Sequence, residues 1–194
     1  MKIQLVDRNK LMCNEWANQF HNIPNVIIHN GDFFSLPATC IVSPANSFGF
    51  MDGGLDAVIS RKLGQRTQEK LQKIISEEFH GELLVGQAVL IETEFPEIPY
   101  CISAPTMRVP LILKGAPNVY LAAKAVFRIL INNPYLEAVT ISGMGTGVGN
   151  VPEPICAQQM RKAFDEIFLG NKKAFKTLKE AQEHHIDLIT LKQK

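Results

Sequence analysis

Ala138-Val-Thr-Ile-Ser142 runs directly into Gly143-Met-Gly-Thr-Gly-Val-Gly-Asn-Val-Pro152, and from Pro154 to Phe168 apolar residues recur three or four apart. The first piece is a short apolar β-rich run and the last is a helical period entered through prolines. Between them stand Gly143, Gly145, Gly147 and Gly149. A buried strand that passes through a glycine loop into a helix is the repeating step of an α/β sheet. Outward from it the same grammar recurs. Lys2 to Val6, Val26 to His29, Thr39 to Ser43, Val89 to Glu92 and Tyr100 to Ser103 read as strands, and Asp187 to Leu191 as a last strand closing the chain. Leu55 to Leu63, Gln65 to Phe79, Asn118 to Asn132 and Lys173 to His185 read as helices. This alternation predicts a three-layer α/β/α fold, with a mixed, mostly parallel sheet and helices on both faces. No repeat, low-complexity stretch or linker divides it, so residues 1–194 are expected to form one domain.

Composition bounds the partners. At 194 residues the chain is long enough to bury roughly 70% of its unfolded surface, so neither disulfides nor a structural metal is required. With 20 Lys+Arg against 19 Asp+Glu there is no long-range field of one sign, which counts against a nucleic-acid partner; any anionic ligand must be met locally. No apolar run approaches the ~18 residues of a membrane span and Met1-Lys-Ile-Gln-Leu-Val-Asp7 is no export signal, so a cytoplasmic protein is expected. Cys13, Cys40, Cys101 and Cys156 lack CxxC spacing and are expected to be buried free thiols, with no metal and no cofactor. His184 and His185 make no HExxH pair and read as solvated. The lysines at 172, 173, 176 and 179 read as the wet face of an amphipathic helix.

In parallel sheets ligands sit beyond the carboxyl ends of the strands, which narrows the search to three loops. In the glycine loop, successive backbone N–H groups can approach an anion at the start of a helix, as in a phosphate cradle. It is neither a dinucleotide fingerprint, since Val148 or Asn150 occupies the final glycine position, nor a P-loop, since no Gly-Lys-Ser/Thr follows. The second loop, Ser43-Pro-Ala-Asn-Ser-Phe-Gly-Phe-Met-Asp-Gly-Gly-Leu-Asp56, offers Asn46, two carboxylates at Asp52 and Asp56, and the close-approach pair Gly53-Gly54, a mixture suited to a polyol. The third, Asn30-Gly-Asp-Phe-Phe-Ser35, carries Asp32 as an acceptor beside Phe33 and Phe34.

From Gly31 to about Ala163 these three motifs, in this order, resemble the macrodomain family, which binds ADP-ribose. The resemblance implies that Asp32 receives the adenine amino group while the Phe33 backbone contacts the ring. It implies that Asn46, Gly53 and Gly54 hold the distal ribose, and that Gly145, Thr146, Gly147, Val148 and Gly149 wrap the diphosphate. Members that hydrolyse ADP-ribosyl linkages place an aspartate ten residues after the asparagine, as Asp56 stands to Asn46. A hydrolase acting on acidic side-chain esters or O-acetyl-ADP-ribose is therefore expected, working as a monomer, with a noncatalytic ADP-ribose reader as the alternative. Met51 and Asp52 replace two glycines the family often has, which makes Asp52 a rival base. The aromatic that many members place over the distal ribose would fall at Gly149, leaving Phe48 or Phe50 to substitute, and Arg108 offers a fork for a phosphate or carboxylate.

Overall fold

The structure, a computed structural model, describes residues 1–191. In chain order it forms β1 (Lys2–Asp7), α1 (Lys10–Phe20), β2 (Val26–Asn30), β3 (Cys40–Ser43), α2 (Gly54–Leu63), α3 (Gln65–Glu78), β4 (Val89–Glu92), β5 (Tyr100–Ser103), α4 (Asn118–Asn132), β6 (Ala138–Ile141), α5 (Glu153–Phe168) and α6 (Leu178–Ile189). The strands make one sheet in the order β2-β1-β6-β3-β5-β4, parallel throughout except for β4 against β5.

Side-chain alternation along the strands decides what each face buries. Cys40 and Val42 of β3, Ile102 of β5, and Val139 and Ile141 of β6 join one core with α1, α4 and α5. Ile41 of β3 and Cys101 of β5 point the other way and pack with Ile59 and Leu63 of α2 and Leu71 and Ile75 of α3. The near-continuous apolarity of these strands follows from burial on both sides. All four cysteines are buried free thiols, and no helix among the described residues is long and apolar enough to cross a membrane.

Four expectations need correction. Lys10–Phe20 is a helix that the strand-and-helix reading above omits: Met12, Cys13, Trp16 and Phe20 share its buried face, and Asn9 caps it by accepting from the Leu11 N–H. Asp187–Leu191 is not a strand, because α6 starts later than expected, at Leu178 behind the Thr177 cap, and runs on to Ile189. The last carbonyls of α6 are met by α5: Gln158 Nε2 donates to Asp187 O and Thr190 O, and Gln159 Nε2 to Leu188 O. His184 is not solvated. It is buried against the Tyr120 and Phe175 rings and 3.6 Å from Glu166, and burial followed by the nearby Lys173 lowers its pKa, whereas His185 is exposed. The lysines at 172, 173 and 176 precede α6 in an exposed segment, and only Lys179 lies on the helix.

Gln159 is fully buried and ties three elements together. Its Oε1 accepts from Tyr120 N at 2.9 Å, and its Nε2 donates to Ala116 O at 2.9 Å and to Leu188 O at 3.1 Å. Gln159→Ala leaves these backbone groups without partners and opens a void, so urea denaturation should show stability lower by about 2–4 kcal/mol with an unchanged slope.

Candidate functional site

The carboxyl ends of β1, β6, β3 and β5 open into one cleft of about 390 Å³, within the ~300–1,000 Å³ usual for small-molecule sites. Asp32, Phe33, Asn46, Asp52, Gly53, Gly54, Asp56 and the run from Gly145 to Gly149 all line it. Turns far apart in sequence meet there because parallel strands all leave the sheet at the same edge.

The glycine loop is held from behind by its carbonyls. Gly143 O accepts from Thr146 Oγ1 at 3.0 Å, Gly145 O from Val151 N at 3.1 Å, Gly147 O from Asn150 N at 3.0 Å and Gly149 O from Leu113 N at 2.7 Å. The N–H groups from Gly145 to Gly149 make no hydrogen bond among the described residues, and α5 begins just beyond. Gly145 has φ of +71°, and a Cβ at Gly149 would lie 2.5 Å from the Gly145 carbonyl oxygen. That close approach explains why no aromatic stands at Gly149. Phe50, half exposed, lines the cleft instead; Phe48 does not, and lies 5.0 Å beneath the Arg108 guanidinium. Arg108 spends its fork on Glu82, outside the cleft, at 2.8 and 3.3 Å.

At the β1–β2 end, Asp32 accepts from the Phe34 N–H at 2.9 Å and from the Arg8 guanidinium. The Phe34 N–H first, and Arg8 second, hold its carboxyl below the usual range, so it is an anionic acceptor at neutral pH. Arg8 and Asp7 also line the cleft, and Asp7 Oδ2 takes the Gly143 N–H at 3.1 Å. Both were missed in the sequence, although they directly follow a strand and the rule that led to the other loops points to them equally.

Asn46 is committed differently from what its resemblance implies. Its Nδ2 donates to Phe50 O at 2.7 Å, and its Oδ1 accepts from Phe48 N at 3.1 Å and Phe50 N at 3.3 Å. Most of its capacity shapes the turn that carries Phe50, leaving one N–H for a ligand. The two aspartates separate sharply. Asp52 is exposed on the loop ahead of α2, whereas Asp56, in the first turn of α2, is buried to 8% exposure and accepts a short hydrogen bond from the Ser43 hydroxyl. Burial raises the Asp56 pKa to about 6; the Ser43 hydrogen bond opposes this and the Asp52 charge adds to it. A carboxylate that titrates near neutrality inside a cleft is suited to taking up and releasing a proton. Among the described residues no cluster of His, Cys, Asp or Glu is arranged to hold a metal.

The sequence model of the macro domain matches residues 42–160. An uncharacterised protein of Aquifex aeolicus is 34% identical over 137 residues, covering 70% of this chain and 78% of that protein. Two solved structures share the fold. The macrodomain of Mycobacterium tuberculosis DarG has a TM-score of 0.60 at 18% identity, over 70% of this chain and 87% of that one. A mutant of the Oceanobacillus iheyensis macrodomain with ADPR also has a TM-score of 0.60, at 20% identity over 73% and 77%. With a sheet of this order, a glycine loop running from β6 into α5, and a family match that spans most of the residues between them, the chain belongs to the macro domain family.

Proposed function

We propose that the cleft binds ADP-ribose and that Asp56 makes it a hydrolase, releasing ADP-ribose from an acidic side chain or from a small ester such as O-acetyl-ADP-ribose. Two features support the binding: the solved relatives with ADP-ribose or ADP, and a cleft with an acceptor, Asp32, at one end and five uncommitted N–H groups along its glycine wall. In this reading Asp32 takes the adenine amino group, the N–H groups of Gly145 to Gly149 take the diphosphate, and the distal ribose lies between Gly53-Gly54 and Phe50.

The observation that carries the catalytic part is the buried Asp56 carboxyl with its pKa near 6. Ionised, it accepts a proton from a water as that water attacks the anomeric carbon of the distal ribose. With an acidic side chain as acceptor, a carbon–oxygen bond forms there, the bond to the acceptor oxygen breaks, and the acceptor leaves with the electron pair as a carboxylate. With an acetyl ester on another ribose hydroxyl, the water instead attacks the acetyl carbonyl carbon, the bond to the ribose oxygen breaks, and acetate leaves while that oxygen takes up a proton. The diphosphate grip and the one remaining Asn46 N–H hold the sugar in line, so positioning contributes alongside the base. A second reading, a binding module without turnover, draws on the same Asn46, whose side chain is largely spent on its own loop. Release of ADP-ribose from an automodified transferase separates the two.

Asp56→Ala should lower the turnover of that release by about 10²–10⁴-fold while ADP-ribose affinity, measured by calorimetry, stays within about tenfold. Unchanged turnover removes Asp56 from the mechanism. ADP-ribose at 100 times its dissociation constant should add about 2.7 kcal/mol of stability in a thermal-shift titration.

The burial that tunes Asp56 also opposes folding. Its folded pKa lies above the unfolded value, so the folded state holds the proton to higher pH, and stability is lost as pH rises from about 4 through 6. Asp56→Asn carries no charge to desolvate. It should be more stable than wild type at pH 8 by on the order of 2–3 kcal/mol in urea denaturation, with the gap closing towards pH 4.

A further inference from the structure

We propose that Ser43 is a positioning residue for Asp56: its hydroxyl holds one carboxylate oxygen against the end of β3, leaves the other for the cleft, and keeps the buried group able to ionise. The inference rests on the reading of Asp56 as the base. On β3, Ile41 and Ser43 share the face packed by α2 and α3, where Ile41 is part of an apolar core. A hydroxyl at 0% exposure on such a face must find a partner or remain costly. Ser43 finds it in Asp56 Oδ1, thirteen residues on and across the glycine-rich entry of α2. Asp56 itself lines the cleft, so the carboxyl is held from the sheet side and its second oxygen, Oδ2, is the one this bond leaves unbound.

Among the described residues the Ser43 hydroxyl makes the one side-chain hydrogen bond to Asp56, and the place of Asp56 in the first turn of α2 also favours the charged form. Asp52, on the loop ahead of α2, is a like charge, and Cys101 on β5 is a thiol whose pKa burial pushes up to about 12, so it stays neutral. On α3, which packs against α2, Arg66 and Lys70 pair with Glu94, and Lys73 with Glu77. Burial and the Asp52 charge favour the protonated acid; the Ser43 hydroxyl favours the carboxylate. Removing that hydroxyl leaves burial and the Asp52 charge, which favour the acid, opposed by the positive end of α2.

Ser103, the register partner of Ser43 on β5, supplies a matched control. Its hydroxyl is equally buried and has no hydrogen-bond partner among the described residues. Deleting it changes the packing of the neighbouring strand without touching Asp56.

The test compares wild type, Ser43→Ala, Ser43→Thr and Ser103→Ala by two readouts. One is the pH–rate profile for ADP-ribose release from an automodified transferase; the other is a carbon-13 NMR titration of the Asp56 carboxyl, which needs no turnover. For Ser43→Ala the acid limb and the carboxyl titration should both move up by about one pH unit, with the rate deficit closing at high pH. Ser43→Thr should restore the wild-type midpoint, and Ser103→Ala should keep it. A deficit in Ser43→Ala that is the same at every pH, or an unmoved carboxyl titration, overturns the proposal. If wild type shows no turnover, the hydrolase reading falls and with it the catalytic use of the pair, while the carboxyl titration still decides whether Ser43 controls Asp56. Should Ser43→Ala fail to fold, Ser43→Cys keeps the size with a weaker donor and should give a smaller upward shift, no shift again counting against the proposal.

Discussion

Five strands of one sheet, β2, β1, β6, β3 and β5, run parallel, and every one of them must therefore leave the sheet at the same edge. Each exit needs a turn into the element that brings the chain back, and the turns crowd together whatever their separation in sequence. Asp7, Asp32 and Asn46 end up lining one cleft, and Asn46 lies beside Met107 through a bridge that prolongs the β3–β5 pairing past the strands. The cleft is a consequence of strand direction before any side chain contributes. What the side chains add is the choice of which polar groups the edge leaves unspent.

That choice is visible as a division of labour between carbonyls and N–H groups. The glycine loop gives its carbonyls to Thr146, Asn150, Val151 and Leu113 and keeps its N–H groups back. Buried backbone polar groups without partners are costly, and a wall of donors at a helix start is stable chiefly when water or an anion faces it. Asp7 fixes one edge of this wall by taking the Gly143 N–H. The loop after β5 fixes the other, since Leu113 bonds Gly149 while the Asn118 side chain holds Thr106 O. The site is thus braced from both sides by segments outside the three motif loops.

The sequence showed the sheet well because strands buried on both faces read as short apolar runs whatever their neighbours. It showed the three loops because glycines, Asn46 and acids cluster directly after those runs. It was silent where an outcome is set by groups far away in the chain. Asp187 to Leu191 carries the apolar and β-branched residues of a strand, and the Gln158 and Gln159 amides of α5, which cap the last carbonyls of α6, help make its first part the end of a helix. His184 and His185 look alike in sequence, and docking of α6 on Tyr120 and Glu166 separates them. Asn46 lines the cleft, but nothing in its spacing shows that its amide is spent on Phe48 and Phe50. The α1 signal was present in Asn9 and the spacing of Met12, Trp16 and Phe20.

Asp52 and Asp56 bring these strands of argument together. Four residues apart at the entry of one helix, they compete in the sequence, where the spacing from Asn46 favours Asp56 and leaves Asp52 as a rival. The fold sets Asp52 in water and Asp56 against the end of β3, where burial raises the pKa of Asp56. A carboxyl near pH 6 binds a proton more readily than an ordinary one and still remains substantially ionised at neutral pH. The exposed charge also acts on the buried one, since Asp52 raises the Asp56 pKa further. Replacing two glycines of the loop by Met51 and Asp52 follows the same logic: Met51 is buried in the α2–α3 core and ties the loop down, which holds Asp52 close enough for its charge to be felt.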